Sequence, residues 1–343
     1  MMRVATYYRN DDVRLEKRPV PPIGQGELLV RVMACGICGS DVMEWYRIKK
    51  APLVLGHEIS GEVVETQGEV NGVRPGDRVF VSHHVPCGNC RYCLTGRETV
   101  CDTLRSTNFD PGGFSEYLRV PAINVEKKGV FVLPETISDD EGTFVEPLAC
   151  AHRAQRLAGL SPGQSVLVLG AGISGLLHIA LARAMGAGLI MATDISDYRL
   201  EKAREAGAHV VMNARDDVAE KVREANNGTG ADLVIVCAGA PSAFDQAFEC
   251  VDRGGTVALF APTEPGVKVD LPVWNVWKDG VAVVSSYGAA PVDIRCAIDL
   301  LAWGRVPVQS MITHRLALAD AASGFGLVAG ANESVKVIIR PQE

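Results

Sequence analysis

The sequence predicts an α/β protein of two domains, one β-rich and the other a doubly wound parallel sheet of six strands. Three observations carry this reading. From about residue 165, apolar runs of strand length alternate with helical stretches; residues 1 to about 130 hold short β-rich runs broken by Gly and Pro; and a glycine turn, GAGISG (170–175), joins an apolar run to a helical one. The 343 residues suit two domains at about 150 residues each.

The β-rich half contains LLVRVMA (28–34), ISGEVVET (59–66), DRVFVS (77–82) and FSEYLRV (114–120), with turn chemistry such as PPIGQG and RPGD between them. This pattern predicts antiparallel or barrel-like structure. The second half reads as strands VLVLG (166–170), LIMATD (189–194), VVM (210–212), DLVIVCAG (232–239), TVALFA (256–261) and VAVVSS (281–286). Helices at 173–185, 197–206, 216–226 and 242–251 separate the first five. All six strands are expected to be buried. A helical stretch at 292–303 and a last strand at 335–340 exceed what that sheet needs. They are returned to the first domain, giving 1–150 with 288–343 as one domain and 151–287 as an insertion within it.

Composition narrows the function. Hydrophobic residues at 47% and charged residues at 22% exclude disorder as the main state. With 34 Lys and Arg against 41 Asp and Glu, the net charge of -7 offers no general attraction to nucleic acid or to an anionic membrane. The first residues lack the apolar core of a leader, and no stretch approaches the roughly 18 apolar residues of a membrane span. A soluble, cytoplasmic protein with a small-molecule partner is expected.

The ten cysteines are not scattered. Cys87, Cys90, Cys93 and Cys101 crowd a short segment whose Gly88, Asn89 and Gly96 supply turns, a spacing that can wrap a tetrahedral Zn²⁺ in a loop with little core of its own. An iron–sulfur site is the alternative, but the Cys-Pro continuation of ferredoxins is absent. Cys150, Cys237, Cys250 and Cys296 stand alone and read as small core hydrophobes.

A second constellation joins Cys38, Gly39, Ser40 and Asp41 to Gly56, His57 and Glu58. One thiolate and one imidazole make half of a zinc shell, and a catalytic zinc needs a third protein ligand and an open position. Glu58 and Glu146 are the candidate carboxylates; Glu146 stands in an apolar FVEPL segment where an acid otherwise has little reason to be. Cys35 and Cys38 could also be read as a redox CxxC, but no thioredoxin-like βαβ pattern surrounds them.

The glycine turn Gly170, Gly172 and Gly175, with Ile173 and Ser174, follows an apolar strand and opens a helix, the setting in which backbone N–H groups and a helix N-terminus receive a pyrophosphate. Asp194, 19 residues past Gly175, can accept the adenosine ribose hydroxyls and repel a 2′-phosphate, which favours NAD over NADP. Arg199 either faces that ribose or is a solvated charge of the helix DYRLEKAREAG.

Taken together, GICGSD, GHE, PGDRV, CGNCRYC with Cys101, GGFSEY, EPLA and GAGISG resemble the zinc-dependent medium-chain dehydrogenases over essentially the whole chain, most closely the polyol (sorbitol) and L-threonine dehydrogenase branch. The resemblance implies a GroES-like catalytic domain, an inserted Rossmann domain and an active site in the cleft between them. It further implies two Zn²⁺ per subunit, one catalytic and one structural, NAD as cofactor, and a homotetramer, with a dimer as the alternative. By position, Cys38, His57 and Glu58 resemble the catalytic zinc ligands, with Glu146 a fourth ligand or water-mediated neighbour. Ser40 resembles the hydroxyl that relays the substrate proton and Asp41 the carboxylate that orients the histidine. Leu259, Phe260, Ala261, Ser286 and Tyr287 fall where later strand ends line the nicotinamide. Met43 stands where many of these enzymes carry a histidine, and His84 is either a pocket residue or a surface-loop histidine beside His83. The activity implied is oxidation of a secondary alcohol by hydride transfer to NAD⁺. The alternatives are an L-threonine 3-dehydrogenase-like enzyme and a zinc- and NAD-binding protein without turnover.

Overall fold

In the computed structural model, which describes residues 1–70, 72–331 and 333–343, the chain divides into two compact units. One comprises Met1–Glu146, Ala289–Gly304 and Val308–Glu343; the other comprises Pro147–Gly288 and Arg305–Pro307.

The first unit is β-rich. A sheet of seven strands is built on Leu28–Gly36, which pairs antiparallel with Glu58–Thr66, with Tyr117–Val120 and with the last strand, Lys336–Arg340. That last strand runs parallel to Ile312–Ala317, and the helix Ala321–Gly330 makes the connection that a parallel pair requires. A smaller sheet comes from an element with no counterpart among the sequence expectations, the hairpin of Met2–Arg9 and Asp12–Arg18 around an Asn10-Asp11 turn. Its signal was the polar turn between two runs of alternating residues. Val4, Tyr7, Val30, Val32, Ile59, Val63, Phe114, Phe325 and Ile339 meet in one apolar core, which fixes the strands that carry the site.

The second unit is a Rossmann sheet of six parallel strands. Its order is Val210–Asn213, Ile190–Asp194, Val166–Leu169, Ala231–Val236, Val251–Leu259, Ala282–Ser285, so the reversal of direction falls beside the first strand in sequence. Every residue of Val166–Leu169 and Ile190–Asp194 is buried, as expected of strands covered on both faces. The sixth strand departs from expectation. Ala282–Ser285 is the outer edge of the sheet, paired on one side only among the described residues, and Val283 is 41% exposed. The isolated cysteines also need correction: only Cys250 is buried, and Cys150, Cys237 and Cys296 are partly exposed.

Candidate active site and metal centres

The CGSD segment folds into a single turn of 3-10 helix after the strand Leu28–Gly36. Asp41 Oδ2 accepts the backbone N–H of Cys38 at 3.1 Å, and Cys38 Sγ accepts that of Ser40 at 3.4 Å, so the turn closes on its own side chains. The neighbouring strand places Glu58 opposite Gly36 in register. The ligand atoms of Cys38, His57 and Glu58 consequently lie within 4.8 Å of one another. Gly36 is required there: a Cβ would collide with the Glu58 carboxylate and with Lys336 Nζ.

Asp41 is fully buried, and its Oδ1 lies 3.5 Å from His57 Nδ1, leaving the other ring nitrogen for a metal. Burial opposes a charged His57, yet the Asp41 carboxylate and the Cys38 thiol outweigh it and hold the imidazole pKa well above its usual value. Burial and the nearby Glu58 raise the Cys38 thiol. Sulfur, nitrogen and carboxylate oxygen packed this closely fit the three-ligand donor set of a catalytic zinc.

Glu146 stands in the first turn of the helix Val145–Leu157, outside that converging group. Lys336 was missed by sequence reasoning. It forms a buried ion pair with Glu58 and sits 5.1 Å from the Phe144 ring centroid. Its signal was a lysine within the apolar run VKVIIR. His83 and His84 are not a surface pair: the His83 ring lies 4.9 Å from that of His57, and His84 Nδ1 donates to the Thr107 carbonyl at 3.0 Å. Burial, opposed by that hydrogen bond, pulls His84 down to about 4.

Cys87, Cys90, Cys93 and Cys101 also converge within 4.8 Å, with Sγ–Sγ separations of 3.5 Å for Cys90–Cys93 and 3.9 Å for Cys87–Cys93. Two ligands about 2.3 Å from a tetrahedral zinc would stand about 3.8 Å apart. Backbone N–H groups of Asn89 and Cys90 lower the Cys87 thiol. Cys101, despite its burial, is brought down to about 6 by the N–H groups of Cys87 and Leu104 and by the neighbouring thiols. Both shifts favour thiolates, the form that binds metal.

In the second unit the glycine turn follows Val166–Leu169 and Ile173 begins the helix Ile173–Ala184. A Cβ on Gly175 would collide with the Gly170 carbonyl, so the turn closes only with glycine. Asp194 ends its strand with Oδ2 accepting the Ala171 N–H at 2.9 Å and Oδ1 the Ser196 N–H at 3.0 Å, fastening the turn to the next strand end. Arg199 turns inward rather than into solvent, with Nη1 3.9 Å from Asp194 Oδ2. Arg199 Nε and Ser286 Oγ are buried without a hydrogen-bond partner among the described residues. Phe260 and Ala261 donate to the Val236 carbonyl at 3.2 and 2.9 Å, and Ser286 to that of Leu259 at 3.2 Å. Leu259, Phe260, Ala261, Ser286 and the 53% exposed Tyr287 thus belong to the carboxyl ends of parallel strands, as the glycine turn and Asp194 do. Ligands bind at such strand ends in open α/β sheets. The close glycine turn and the orphaned polar atoms fit a dinucleotide.

Comparison with known proteins identifies the family. Residues 24–130 match the alcohol dehydrogenase GroES-like domain, and residues 174–303 match the zinc-binding dehydrogenase family. The sorbitol dehydrogenase of Bacillus subtilis (strain 168) is 30% identical over 352 residues, covering 99% of this chain and 97% of that protein. An L-threonine 3-dehydrogenase of Bacillus licheniformis is 35% identical over 319 residues, covering 90% of each. A protein assigned to the zinc-binding dehydrogenases of Sinorhizobium meliloti 1021, solved bound to NADP, superposes with a TM-score of 0.89 at 31% identity, covering 99% of both chains. The chain belongs to the zinc-dependent medium-chain dehydrogenases. It is an oxidoreductase that uses zinc and a nicotinamide dinucleotide.

Proposed function

We propose that the protein oxidises a secondary alcohol of the polyol or sugar-alcohol class with NAD⁺ as acceptor. The observation that carries this is the convergence of Cys38, His57 and Glu58 beside the half-buried Ser40. Zinc held there would supply Lewis-acid polarisation of the substrate hydroxyl, and NAD⁺ would supply the hydride acceptor. Cys38, His57 and Glu58 hold the metal; Asp41 orients His57; Glu146 acts as an exchangeable or water-mediated neighbour. Ser40 receives the substrate's hydroxyl proton at Oγ as it releases its own. Gly170, Gly172, Ile173, Ser174 and Gly175 receive the pyrophosphate, and the Asp194 carboxylate selects NAD by opposing a 2′-phosphate. Leu259, Phe260, Ala261, Ser286 and Tyr287 line the nicotinamide. Cys87, Cys90, Cys93 and Cys101 hold a second, structural zinc. Residues 1–150 with 288–343 form the catalytic domain, and 151–287 the cofactor domain.

The reading extends to assembly. The sheet edge at Ala282–Ser285 is unpaired among the described residues, and Leu271, Val273, Trp274 and Trp277 close by in sequence are 49%, 64%, 66% and 72% exposed. Such an edge and patch support pairing with a second copy, within a homotetramer. No helix among the described residues is long and apolar enough to cross a membrane, and a cytoplasmic location accompanies this reading. A second reading, an L-threonine 3-dehydrogenase-like enzyme, draws on the 35% identity to that relative.

NADH formation measured across polyols, sugar alcohols, sugar phosphates, L-threonine and simple secondary alcohols, with and without a zinc chelator, tests the proposal. Chelator-sensitive turnover of a polyol supports it, and preference for L-threonine moves the protein to the second reading. A zinc-replete protein silent on the whole panel overturns both.

A further inference from the structure

We infer that Arg47 is a positioning residue of the proton relay: its guanidinium fixes Ser40 Oγ in the orientation that takes the substrate's hydroxyl proton. This rests on the role proposed above for Ser40.

Glu44–Arg47 forms one α-helical turn just after the 3-10 turn that carries Ser40, with the N–H groups of Tyr46 and Arg47 bonded to the Met43 carbonyl at 2.9 and 3.1 Å. That turn sends the Arg47 side chain back over the segment it has just left. Nε donates to the Ser40 carbonyl at 2.9 Å, Nη2 donates to Ser40 Oγ at 3.0 Å, and Nη2 lies 3.4 Å from Asp41 Oδ1. The side chain is only 15% exposed, and its Cζ stands 4.7 Å from the Tyr46 ring centroid. The carbonyl contact and the ring contact would suffice to clamp the loop; the bond to the hydroxyl is additional.

Its direction is unambiguous. A guanidinium has donors and no acceptor, so Ser40 Oγ must accept from it. A hydroxyl has two acceptor positions and one proton. With one position occupied by Arg47, a second is left to accept the substrate's O–H, and Ser40's own proton has no acceptor among the described residues. As the substrate O–H bond breaks and a new Oγ–H bond forms, the original Oγ–H bond breaks and its proton passes to solvent water. The serine is restored after each transfer. Arg47 keeps its charge throughout, and a fixed cation one hydrogen bond away favours the negative charge that develops as the substrate proton leaves.

The test compares wild type, Arg47→Met, Arg47→Lys, Ser40→Ala and the Ser40→Ala/Arg47→Met double variant. Zinc content and melting temperature are measured for each, together with kcat, KM and the solvent isotope effect on sorbitol, L-threonine and 2-propanol. Arg47→Met is expected to retain both zinc ions, to lose on the order of tenfold or more in kcat with KM little changed, and to raise the solvent isotope effect. Arg47→Lys should recover part of kcat, and Arg47→Met should cost almost nothing further in the Ser40→Ala background. Fully additive losses, or losses that track zinc content or melting temperature, overturn the inference and leave Arg47 as a loop clamp or a support for Asp41. Two outcomes strike the underlying reading instead: wild type that turns over none of the alcohols, or Ser40→Ala with wild-type kcat.

Discussion

Lys336 and Glu58 form an ion pair in which neither side chain exceeds 2% exposure, tying the last strand of the chain to the strand that opens beside the proposed zinc ligands. A carboxylate in that position pairs with a cation supplied by the fold and, in the proposed zinc site, would also face the metal. Removing either partner of a buried pair leaves a bare charge, which costs about 3–5 kcal/mol.

Lys336→Met is therefore expected to lower the melting temperature of metal-free protein sharply and that of zinc-loaded protein less, since coordination would compensate the buried, unpaired carboxylate. Thermal melts with and without zinc check this. Equal losses in the two states would show that Glu58 does not reach the metal.

Cys87→Ser should remove about one zinc equivalent per chain and lower thermal stability, because the Cys87–Cys101 segment draws its order from the metal. Metal analysis with a melting curve decides it. Unchanged zinc content would refute the structural role.

Asp194→Ala should weaken NAD⁺ binding on the order of tenfold and narrow the preference over NADP⁺, since the carboxylate fastens the glycine turn at Ala171 and, in the proposed cofactor site, would oppose a 2′-phosphate. The ratio of kcat/KM for the two cofactors is the readout, and an unchanged ratio counts against the assignment.

His178 is expected to contribute to an acid limb of stability. Its Nδ1 accepts from Gln155 Nε2 at 3.2 Å, and burial pulls its pKa from 6.5 to about 3. The folded protein thus holds a neutral ring while the unfolded chain binds a proton below pH 6.5. The stability this group contributes is complete above pH 6.5 and falls as pH drops toward 3, by about 2 kcal/mol at pH 5. His178→Asn should reduce the slope of melting temperature against pH between 6.5 and 5 without removing it, since His84, lowered by burial to about 4, adds to the same limb; an unaltered slope would assign that limb to other groups.

The two metal centres and the glycine turn were legible in the sequence because each is largely a local device. Cys87, Cys90, Cys93 and Cys101 can surround one ion from a single loop, and Cys38, Ser40 and Asp41 occupy one helical turn that its own side chains close. The alternation of strands and helices gave the Rossmann sheet for a related reason: fully buried parallel strands are written as unbroken apolar runs. The exposed edge Ala282–Ser285 was misread because an edge strand carries the same β-branched residues, and only its place in the sheet leaves it uncovered.

By itself, then, the sequence determined the two cysteine-bearing segments whose ligand atoms converge, the glycine turn and the class of protein, all carried by spacings of a few residues that dictate local geometry. Only the tertiary structure decided that Lys336 would face Glu58 across the Gly36 gap, that Glu146 would stand outside the converging ligands, and that Arg47 would fold back onto Ser40. Glu58 and Lys336 are 278 residues apart. Their meeting depends on strand register and on a packed core, where each side chain's partner is chosen by how all the strands pair at once and by no spacing along the chain.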